Sequence, residues 1–232
     1  MRIDIVTLFP RMFEGVLSES MLRIAQEKNI LRAGFANPRD FTTDRHKSVD
    51  DRPYGGGPGM VWKCKPVVEA VRHLQAQEPE TPGRVLLMCP RGRVFDQALA
   101  RELSLEKRLI LVAPHYEGYD ERIVGILQAE CISIGAFVLT GGELPALVVI
   151  DAVTRLLPGV LGSDDSAHYE SFSPGNAGLL EYPQYTRPAE FEGHAVPEIL
   201  LSGDHAKIEA WRREQSENIT RRSAECRVPS AE

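Results

Sequence analysis

The sequence predicts an α/β fold built on a mostly parallel β-sheet. Short apolar segments rich in β-branched residues recur through most of the chain, and Pro, Gly or charged residues bound each of them. Buried parallel strands have this composition. Helix-like stretches separate the apolar segments, and such alternation is typical of βα units that place helices against a parallel sheet.

The strands and helices can be assigned in order along the first part of the chain. The predicted strands are Ile3–Phe9, Val85–Cys89, Leu109–Ala113 and Cys131–Leu139. The predicted helices are Met12–Lys28, Lys65–Gln77, Phe95–Ser104, Glu121–Ala129 and Leu144–Leu156. The first domain should therefore end near Pro158, and we set it at residues 1–160.

The rest of the chain has a different composition. A stretch rich in Gly, Ser, Asp, Pro and Tyr runs from Gly159 to Pro188, and irregular stretches of this length usually have a function or are disordered. An amphipathic helix is predicted at His205–Glu217, with Ile208 and Trp211 facing inward. We expect a linker at 161–188 and a small helical C-terminal domain at 189–232.

Composition and charge exclude several classes of protein. The 232 residues are 43% hydrophobic, which is enough for a globular core, and no apolar run has the length of a membrane span or signal peptide. We expect a cytoplasmic protein. Four scattered cysteines indicate neither a zinc site nor a disulfide framework, so no metal ligand is assigned. The net charge of −6 argues against nonspecific nucleic-acid binding, although basic residues cluster near 39–52 and 212–227.

Two glycine clusters predict a ligand site. Gly141 and Gly142 end an apolar segment just before a helix, and Gly55–Gly59 lies far upstream. Backbone amides without side chains suit a ligand such as a nucleotide, so the two loops predict one composite site; the alternative for Gly55–Gly59 is a solvent-exposed turn. Met60 and Val61 follow Gly59, which excludes a Walker loop, and Met60 occupies the third glycine position of a dinucleotide fingerprint.

The combined motifs resemble a known family, the bacterial tRNA (guanine-N1)-methyltransferases of the SPOUT class. The resemblance extends over nearly the whole chain. It rests on LFPRMF at 8–13, PRDFTTDRHKSVDDRPYGGGPGM at 38–60, YEGYDER at 116–122, SIGAFVLTGGELPA at 133–146, RLLPGVLG at 155–162, and the downstream segments YTRP and LLSGDHAKIEAWR.

This resemblance implies methyl transfer from S-adenosylmethionine to N1 of guanosine 37 in tRNA, with magnesium as an accessory ion. It also implies a deep trefoil knot, a C-terminal tRNA-binding domain, and a homodimer whose active sites lie between subunits. The implied donor-binding residues are Leu87, Cys89, Pro90, Gly92, Pro114, Tyr116, Glu117, Gly118, Ile134, Gly135, Ala136, Phe137, Val138, Leu139, Gly141, Gly142 and Pro145. For the apolar members Ile134, Val138 and Leu139, the alternative is plain packing within a strand. The implied substrate-binding residues are His46, Asp50 and Gly59.

The chemistry requires a base and a cation. Guanine N1 carries a proton at neutral pH, so a general base must remove it, and the charge that grows on the neighbouring carbonyl oxygen needs a fixed cation. Arg155 matches the family's cation. The family's base is the aspartate of a DSF triplet, which reads Glu170-Ser171-Phe172 here, so we assign Glu170 as the base, with Asp164 or Asp165 as alternatives.

Two further departures concern the donor pocket. Ala136 stands where many relatives have an acidic residue, and Pro114-His115 replaces the usual Gly-Arg pair. Since Pro114 has no amide hydrogen, any main-chain contact there must use its carbonyl group. Two other functions remain open at this point: a ribose 2'-O-methyltransferase of the same class, and a tRNA- and donor-binding protein with weakened catalysis.

Overall fold

The structure is a computed structural model that describes residues 1–162 and 170–227. The chain forms two compact units, Met1–Gly162 and Ser163–Glu232. The first unit contains, in chain order, β1 (Arg2–Val6), α1 (Arg11–Leu17), α2 (Ser20–Glu27), β2 (Arg32–Ala36), a 3₁₀ turn (Pro38–Phe41), β3 (Asp50–Asp51), β4 (Val61–Trp62), α3 (Cys64–Gln77), β5 (Arg84–Val94), α4 (Gln97–Ser104), β6 (Arg108–Val112), β7 (Gly118–Tyr119), α5 (Arg122–Leu127), β8 (Glu130–Ser133) and α6 (Glu143–Thr154).

The central sheet has five parallel strands in the order β2-β1-β6-β5-β8. Its side chains alternate between two apolar layers, as the two-residue period of a strand requires. Leu109 and Leu111 of β6 pack with α1, α2, α4 and α6, whereas Ile110 and Val112 pack with α3 and α5. The predicted α/β class with a mostly parallel sheet is confirmed.

The prediction of one helix at Met12–Lys28 is wrong, because this stretch forms two helices, α1 and α2, with a short turn between them. Ser18 is the last capping residue of α1, and its hydroxyl donates to the carbonyl of Gly15 at 3.3 Å. Ser20 has a φ of +48°, which a continuing helix does not allow. Serine side chains compete for backbone hydrogen bonds in this way, which favours helix ends.

Strand β2 was not predicted. It forms an edge of the sheet beside β1 and is only partly buried, so its sequence RAGFA lacks a strong apolar signal. Strand β5 is longer than predicted and continues to Val94. Its pairing with β8 shifts register between Met88 and Arg93, and both residues lie opposite Ile132.

The predicted strand Cys131–Leu139 is wrong beyond Ser133, where β8 ends. Phe137 and Val138 belong to a loop, and Val138 is 85% exposed. Plain strand packing therefore does not explain the apolar residues of this segment. These apolar side chains are exposed because the loop lines a cavity of the first unit.

The second unit contains the antiparallel pair β9 (Glu190–Phe191) and β10 (His194–Ala195), followed by α7 (Glu198–Leu201) and α8 (His205–Arg227). The last helix is longer than predicted, and Ile208 and Trp211 are half-buried on it. No helix among the described residues is both long and apolar enough to cross a membrane.

Candidate functional site

A cavity of about 450 Å³ lies in the first unit, where the chain leaves β6 and β8. Ligand sites of α/β sheets commonly lie at the carboxyl ends of parallel strands. The lining residues that the sequence analysis assigned to the donor are Cys89, Pro90, Pro114, Tyr116, Glu117, Gly118, Ile134, Gly135, Phe137, Val138, Leu139, Gly141, Gly142 and Pro145. The exposed loop after β8 thus forms one wall of this cavity.

Three of the assigned donor residues do not line the cavity. Leu87 is fully buried in the apolar layer shared with α3 and α5. Gly92 packs against β8, where a Cβ would lie 2.3 Å from the carbonyl carbon of Cys131. Gly92 is therefore required for the close packing of β5 on β8. Ala136 belongs to the loop after β8 but is absent from the lining.

The glycine pair after the loop joins two walls of the cavity. The amide of Gly142 donates to the carbonyl of Pro114 at 2.6 Å, so Pro114 uses its carbonyl group for a main-chain contact, as its missing amide hydrogen requires. A Cβ on Gly142 would lie 2.7 Å from the Cα of Ala113, which no side chain tolerates. Glycine is needed here for the close approach of two backbone segments.

A buried polar cluster supports the same two walls. Glu143, at the first turn of α6, is only 1% exposed and accepts a hydrogen bond from the hydroxyl of Thr7 at 3.0 Å. The other carboxylate oxygen, Oε2, lies 3.3 Å from Nδ1 of His115, whose ring also packs on Phe9. A Cβ on Gly141 would lie 2.3 Å from Glu143 Oε2 and 2.4 Å from His115 Nδ1. The His115–Glu143 contact thus excludes a side chain at Gly141.

Tyr119 lines another part of the cavity and lies beside two cysteines, of which Cys89 also lines the cavity. The Tyr119 hydroxyl accepts from Arg91 at 3.3 Å and lies 3.6 Å from Sγ of Cys131, while Arg91 also pairs with Glu121 at 2.7 Å. Burial raises the pKa of the Tyr119 hydroxyl, and neighbouring Cys89 adds to the effect. Burial likewise raises the pKa of the Cys131 thiol, so both groups are neutral at physiological pH.

The glycine-rich loop upstream converges on this cavity. Strand β4, directly after the loop, pairs with β7 in the cavity wall, and the amide of Glu117 donates to the carbonyl of Met60 at 3.1 Å. Gly59 has a φ of +73°, and a Cβ there would lie 2.2 Å from Cγ of Glu117. The end of the upstream loop thus lies beside the cavity, whereas Gly55 and Gly56 face open space. That the two loops form one ligand site stays a prediction.

The assigned substrate residues lie on the adjoining segment. His46 is exposed in a loop, and Asp50 belongs to β3, opposite Trp62. Arg39 connects this loop to the cavity, because its guanidinium donates to the carbonyl of Lys47 at 3.1 Å and to the hydroxyl of Tyr116 at 3.3 Å. Asp44 stabilises the loop by accepting from the amide of Ser48, which lowers the pKa of its carboxyl group.

The two assigned catalytic residues lie in different parts of the chain. Arg155 caps the C-terminal end of α6, whose N-terminal end touches the cavity. Since a helix rises 1.5 Å per residue, Arg155 lies about 15 Å along the axis from cavity residue Pro145. Glu170 lies in a turn of the second unit, where its carbonyl accepts from the amide of Ser173 at 3.1 Å. Asp164 and Asp165 lie outside the described residues.

Sequence reasoning missed several cavity residues. These are Val61, Met88, Arg91, Tyr119, Ile132 and Ser133, together with His115, which was named without a role. Tyr119 and His115 adjoin the YEG motif, so their position next to an assigned loop was a usable signal. For Val61, the only signal in the sequence was its position just after the glycine cluster. No group of three or more His, Cys, Asp or Glu side chains is arranged to hold a metal ion in residues 1–162 and 170–227.

Comparison with known proteins identifies the family. The family model described as tRNA (Guanine-1)-methyltransferase TrmD matches residues 1–226. The chain is 54% identical to the tRNA (guanine-N(1)-)-methyltransferase of Dehalococcoides mccartyi over 216 residues, which are 93% of this chain and 86% of that protein. It is 54% identical over 223 residues to the protein of the same name from Geobacter metallireducens, covering 96% and 89% of the two chains. The corresponding Geobacillus kaustophilus protein is 55% identical over 216 residues, covering 93% and 86%. The chain therefore belongs to the tRNA (guanine-1)-methyltransferase TrmD family.

Proposed function

We propose that this protein transfers a methyl group from S-adenosylmethionine to N1 of guanosine 37 in tRNA. The observation that carries the proposal is the cavity at the ends of β6 and β8, in a chain that matches the tRNA (guanine-1)-methyltransferase family over residues 1–226. The substrate places the reaction in the cytoplasm. Magnesium is an accessory ion in this proposal.

The cavity residues fit the donor by size and chemistry. A volume of about 450 Å³ lies in the range of small-molecule sites, and the exposed apolar side chains of Phe137, Val138 and Leu139 offer a surface for an adenine ring. Gly118 lines the cavity with open space beside its Cα atom. The carboxylate of Glu117 would hold the ammonium group of the donor. When bound, the donor supplies an electrophilic methyl group on a positively charged sulfur.

The chain's own residues then act on the guanine. Glu170 takes the proton from N1, and the freed electron pair of N1 forms the new bond to the methyl carbon while the pair of the broken sulfur–carbon bond stays on sulfur. Arg155 stabilises the negative charge that grows on O6, which favours the transition state over the ground state. The cavity walls orient the reactants in line, and no covalent enzyme intermediate is needed.

We also propose that the protein is a homodimer with each active site between subunits. Two observations support this. Arg155 lies about 15 Å along α6 from the cavity residue Pro145, which is more than an arginine side chain spans. The outer faces of α1 and α6 expose Met12, Val16, Leu144 and Val148, although α6 is apolar on its inner face too. Apart from the exposed Asp151 near its end, α6 is apolar on both faces, and an exposed apolar patch marks an interaction surface, so a second copy fits this face.

The deep trefoil knot remains part of the proposal. The pairing of β5 with β8 on both sides of a register shift supports it, as does the packing of Gly92 directly on the backbone of Cys131. Both features bring the chain after Cys89 unusually close to a later strand, as a threaded segment requires.

The test is a methylation assay with the purified protein, labelled donor and an unmodified tRNA transcript, followed by nucleoside analysis. We expect N1-methylguanosine with the normal transcript and no product with a transcript that carries adenosine at position 37. A ribose-methylated nucleoside would instead identify a 2'-O-methyltransferase. Binding of donor and tRNA without any methylated product would identify a binding protein that has lost catalysis.

A further inference from the structure

A second cavity, of about 400 Å³, lies wholly within the second unit. Its lining residues are Tyr182, Pro183, Gln184, Tyr185, Thr186, Arg187, Ala189, Val196, Leu200, Leu201, Ile208 and Arg212. This set combines two aromatic rings, two guanidinium groups and an apolar floor, and it contains no acidic residue. A locally cationic cavity in a chain with a net charge of −6 favours an anionic ligand at this place.

The surroundings of Arg212 also favour an anionic ligand. Its guanidinium lies over the ring of Tyr182, 4.8 Å from the ring centroid, and one terminal nitrogen lies 3.8 Å from Oε2 of Glu209. The Nε atom is shielded from solvent and has no hydrogen-bond partner among the described residues. Because the Arg212 side chain as a whole is 39% exposed, an anionic group can approach this cation from solvent.

The other side of the cavity offers a platform for a flat ring. Tyr185 is 49% exposed, and its ring lies 6.4 Å from that of Trp211, which holds it in place. Val196, Leu200 and Ile208 supply apolar surface, and Arg187 supplies a second, exposed guanidinium. Unstacked RNA bases are recognised in this way, by aromatic rings and guanidinium planes, with phosphates held by arginine.

We propose that this cavity binds one unstacked nucleotide of the RNA substrate, with its base against Tyr185 and its phosphate held by Arg187 and Arg212. The volume suits a single nucleotide, since small-ligand sites begin at about 300 Å³. The inference rests on the proposed function, because it takes tRNA as the substrate. It adds to that function a binding site in the second unit for one nucleotide of the tRNA.

The test compares cavity variants with matched variants outside the cavity, using the full-length protein and unmodified tRNA. Tyr185→Ala and Arg212→Gln should each weaken tRNA binding by roughly 5- to 100-fold, the range expected for loss of a stacked base or a charged contact. Tyr185→Phe, which keeps the ring, should bind like the wild type. Donor affinity, measured by calorimetry, should not change in any of these variants.

The matched controls lose the same kind of group elsewhere in the second unit. Phe191→Ala removes an exposed aromatic ring of β9, and Lys207→Gln removes an exposed cation of α8; neither residue lines the cavity. Both controls should bind tRNA within about twofold of the wild type, as is usual for surface substitutions. Equal weakening by Lys207→Gln and Arg212→Gln would overturn the subsite, because general electrostatic attraction would then explain both.

A further variant covers the case in which Arg212→Gln does not fold. Arg187 is exposed, so Arg187→Gln leaves the packing intact and should reduce the slope of log affinity against log salt by about 0.7, the value for one single-strand phosphate contact. An unchanged slope together with unchanged binding by Tyr185→Ala would overturn the subsite alone. Failure of the wild type to bind or methylate tRNA would overturn the proposed function itself.

Discussion

At the level of single residues, the glycine pair of the proposed donor cavity does more than free the backbone. Gly141 leaves room for the contact between His115 and the buried carboxylate of Glu143, and Gly142 lets its loop approach Ala113. The two walls of the cavity are held together by these contacts and by the bond from Gly142 to Pro114. Substitution at Gly141 therefore tests the cavity directly.

We predict that Gly141→Val abolishes donor binding while leaving the protein folded, because the added side chain must displace His115 or Glu143 from the cavity wall. Isothermal titration calorimetry with the donor measures the effect. Gly125→Ala is the matched control, since a Cβ at this helical glycine of α5 meets no atom within 4 Å. Donor binding by Gly141→Val equal to that of Gly125→Ala would rule out this loop as the donor site.

Glu170 stands where the resemblance to the family predicts an aspartate. We predict that Glu170→Gln leaves donor and tRNA binding nearly unchanged and lowers the methyl-transfer rate by about 10²-fold or more, the usual effect of losing a general base. Glu170→Asp should retain much more activity, because it keeps the carboxylate. Single-turnover rates at saturating substrates measure this. A Glu170→Gln variant with a methyl-transfer rate within a few-fold of the wild-type rate would exclude Glu170 as the base and leave Asp165 and Asp50 as the candidates.

At the level of elements, α6 connects the proposed donor cavity to the proposed catalytic cation and also carries exposed apolar residues on its outer side. Its inner side chains, such as Val149 and Val153, are fully buried against the sheet. Leu144 and Val148 lie one turn apart on its outer side, and α1 presents Met12 and Val16 with the same spacing. Apart from the exposed Asp151, the helix therefore has two apolar faces, and the outer one favours a second covering surface.

We predict that Val148→Asp converts the protein from dimer to monomer and abolishes methyl transfer, because a buried unpaired carboxylate opposes association. Sedimentation velocity measures the oligomeric state. Leu105→Asp is the matched control, because Leu105 is also apolar and is 86% exposed at the end of α4. A dimeric and active Val148→Asp variant would exclude this face as the interface.

At the level of the whole molecule, the position of Arg155 makes a hybrid active site testable. We predict that an equimolar mixture of the inactive variants Gly141→Val and Arg155→Ala regains about a quarter of wild-type activity after subunit exchange, since half of the dimers are mixed and each has one complete site. In that site, one subunit supplies the cavity and the other supplies Arg155. Methyl-transfer assays before and after verified exchange measure the recovery. No recovery would mean that both residues act within one chain.

The first unit should lose stability in acid. Hydrogen bonds from Arg2, Arg84 and Arg122 lower the pKa of Glu78, Glu102 and Asp120, respectively, below the ordinary values of 4.5 for glutamate and 3.8 for aspartate. A carboxylate with a lowered folded-state pKa stabilises the fold above its unfolded pKa, and this contribution is lost as the pH falls through the folded value.

We therefore predict that the melting temperature is steady near neutral pH and falls below about pH 4.5, the unfolded value for glutamate. Thermal unfolding followed by circular dichroism across this pH range is the measurement. Glu78→Gln should show a smaller loss on acidification than the wild type, because one of the titrating groups is gone. A melting temperature that stays constant down to pH 3 would contradict the assignment.

The sequence by itself determined the fold class and the family. Runs such as Leu109–Ala113 are apolar at every position because both faces of a central parallel strand are buried, so composition alone reveals them. The motifs around Tyr116 and Gly141 identified most of the cavity lining through their resemblance to the family. Composition alone pointed only to the loop at Gly141 and Gly142, because a loop that must expose its backbone needs glycine.

Only the tertiary structure decided which apolar residues are buried and which atoms of other residues lie next to each glycine. Cys131–Leu139 has the composition of one strand, yet the strand ends at Ser133 and the rest forms a cavity wall, because burial depends on neighbours that are distant in the chain. Gly92 was assigned to the donor site but is required by the backbone of Cys131, and the sequence does not record that contact. The cavity around Arg212 likewise exists only because the chain after Tyr182 folds against α8. Contacts of this kind arise from packing between segments, and a local pattern of residue types does not contain them.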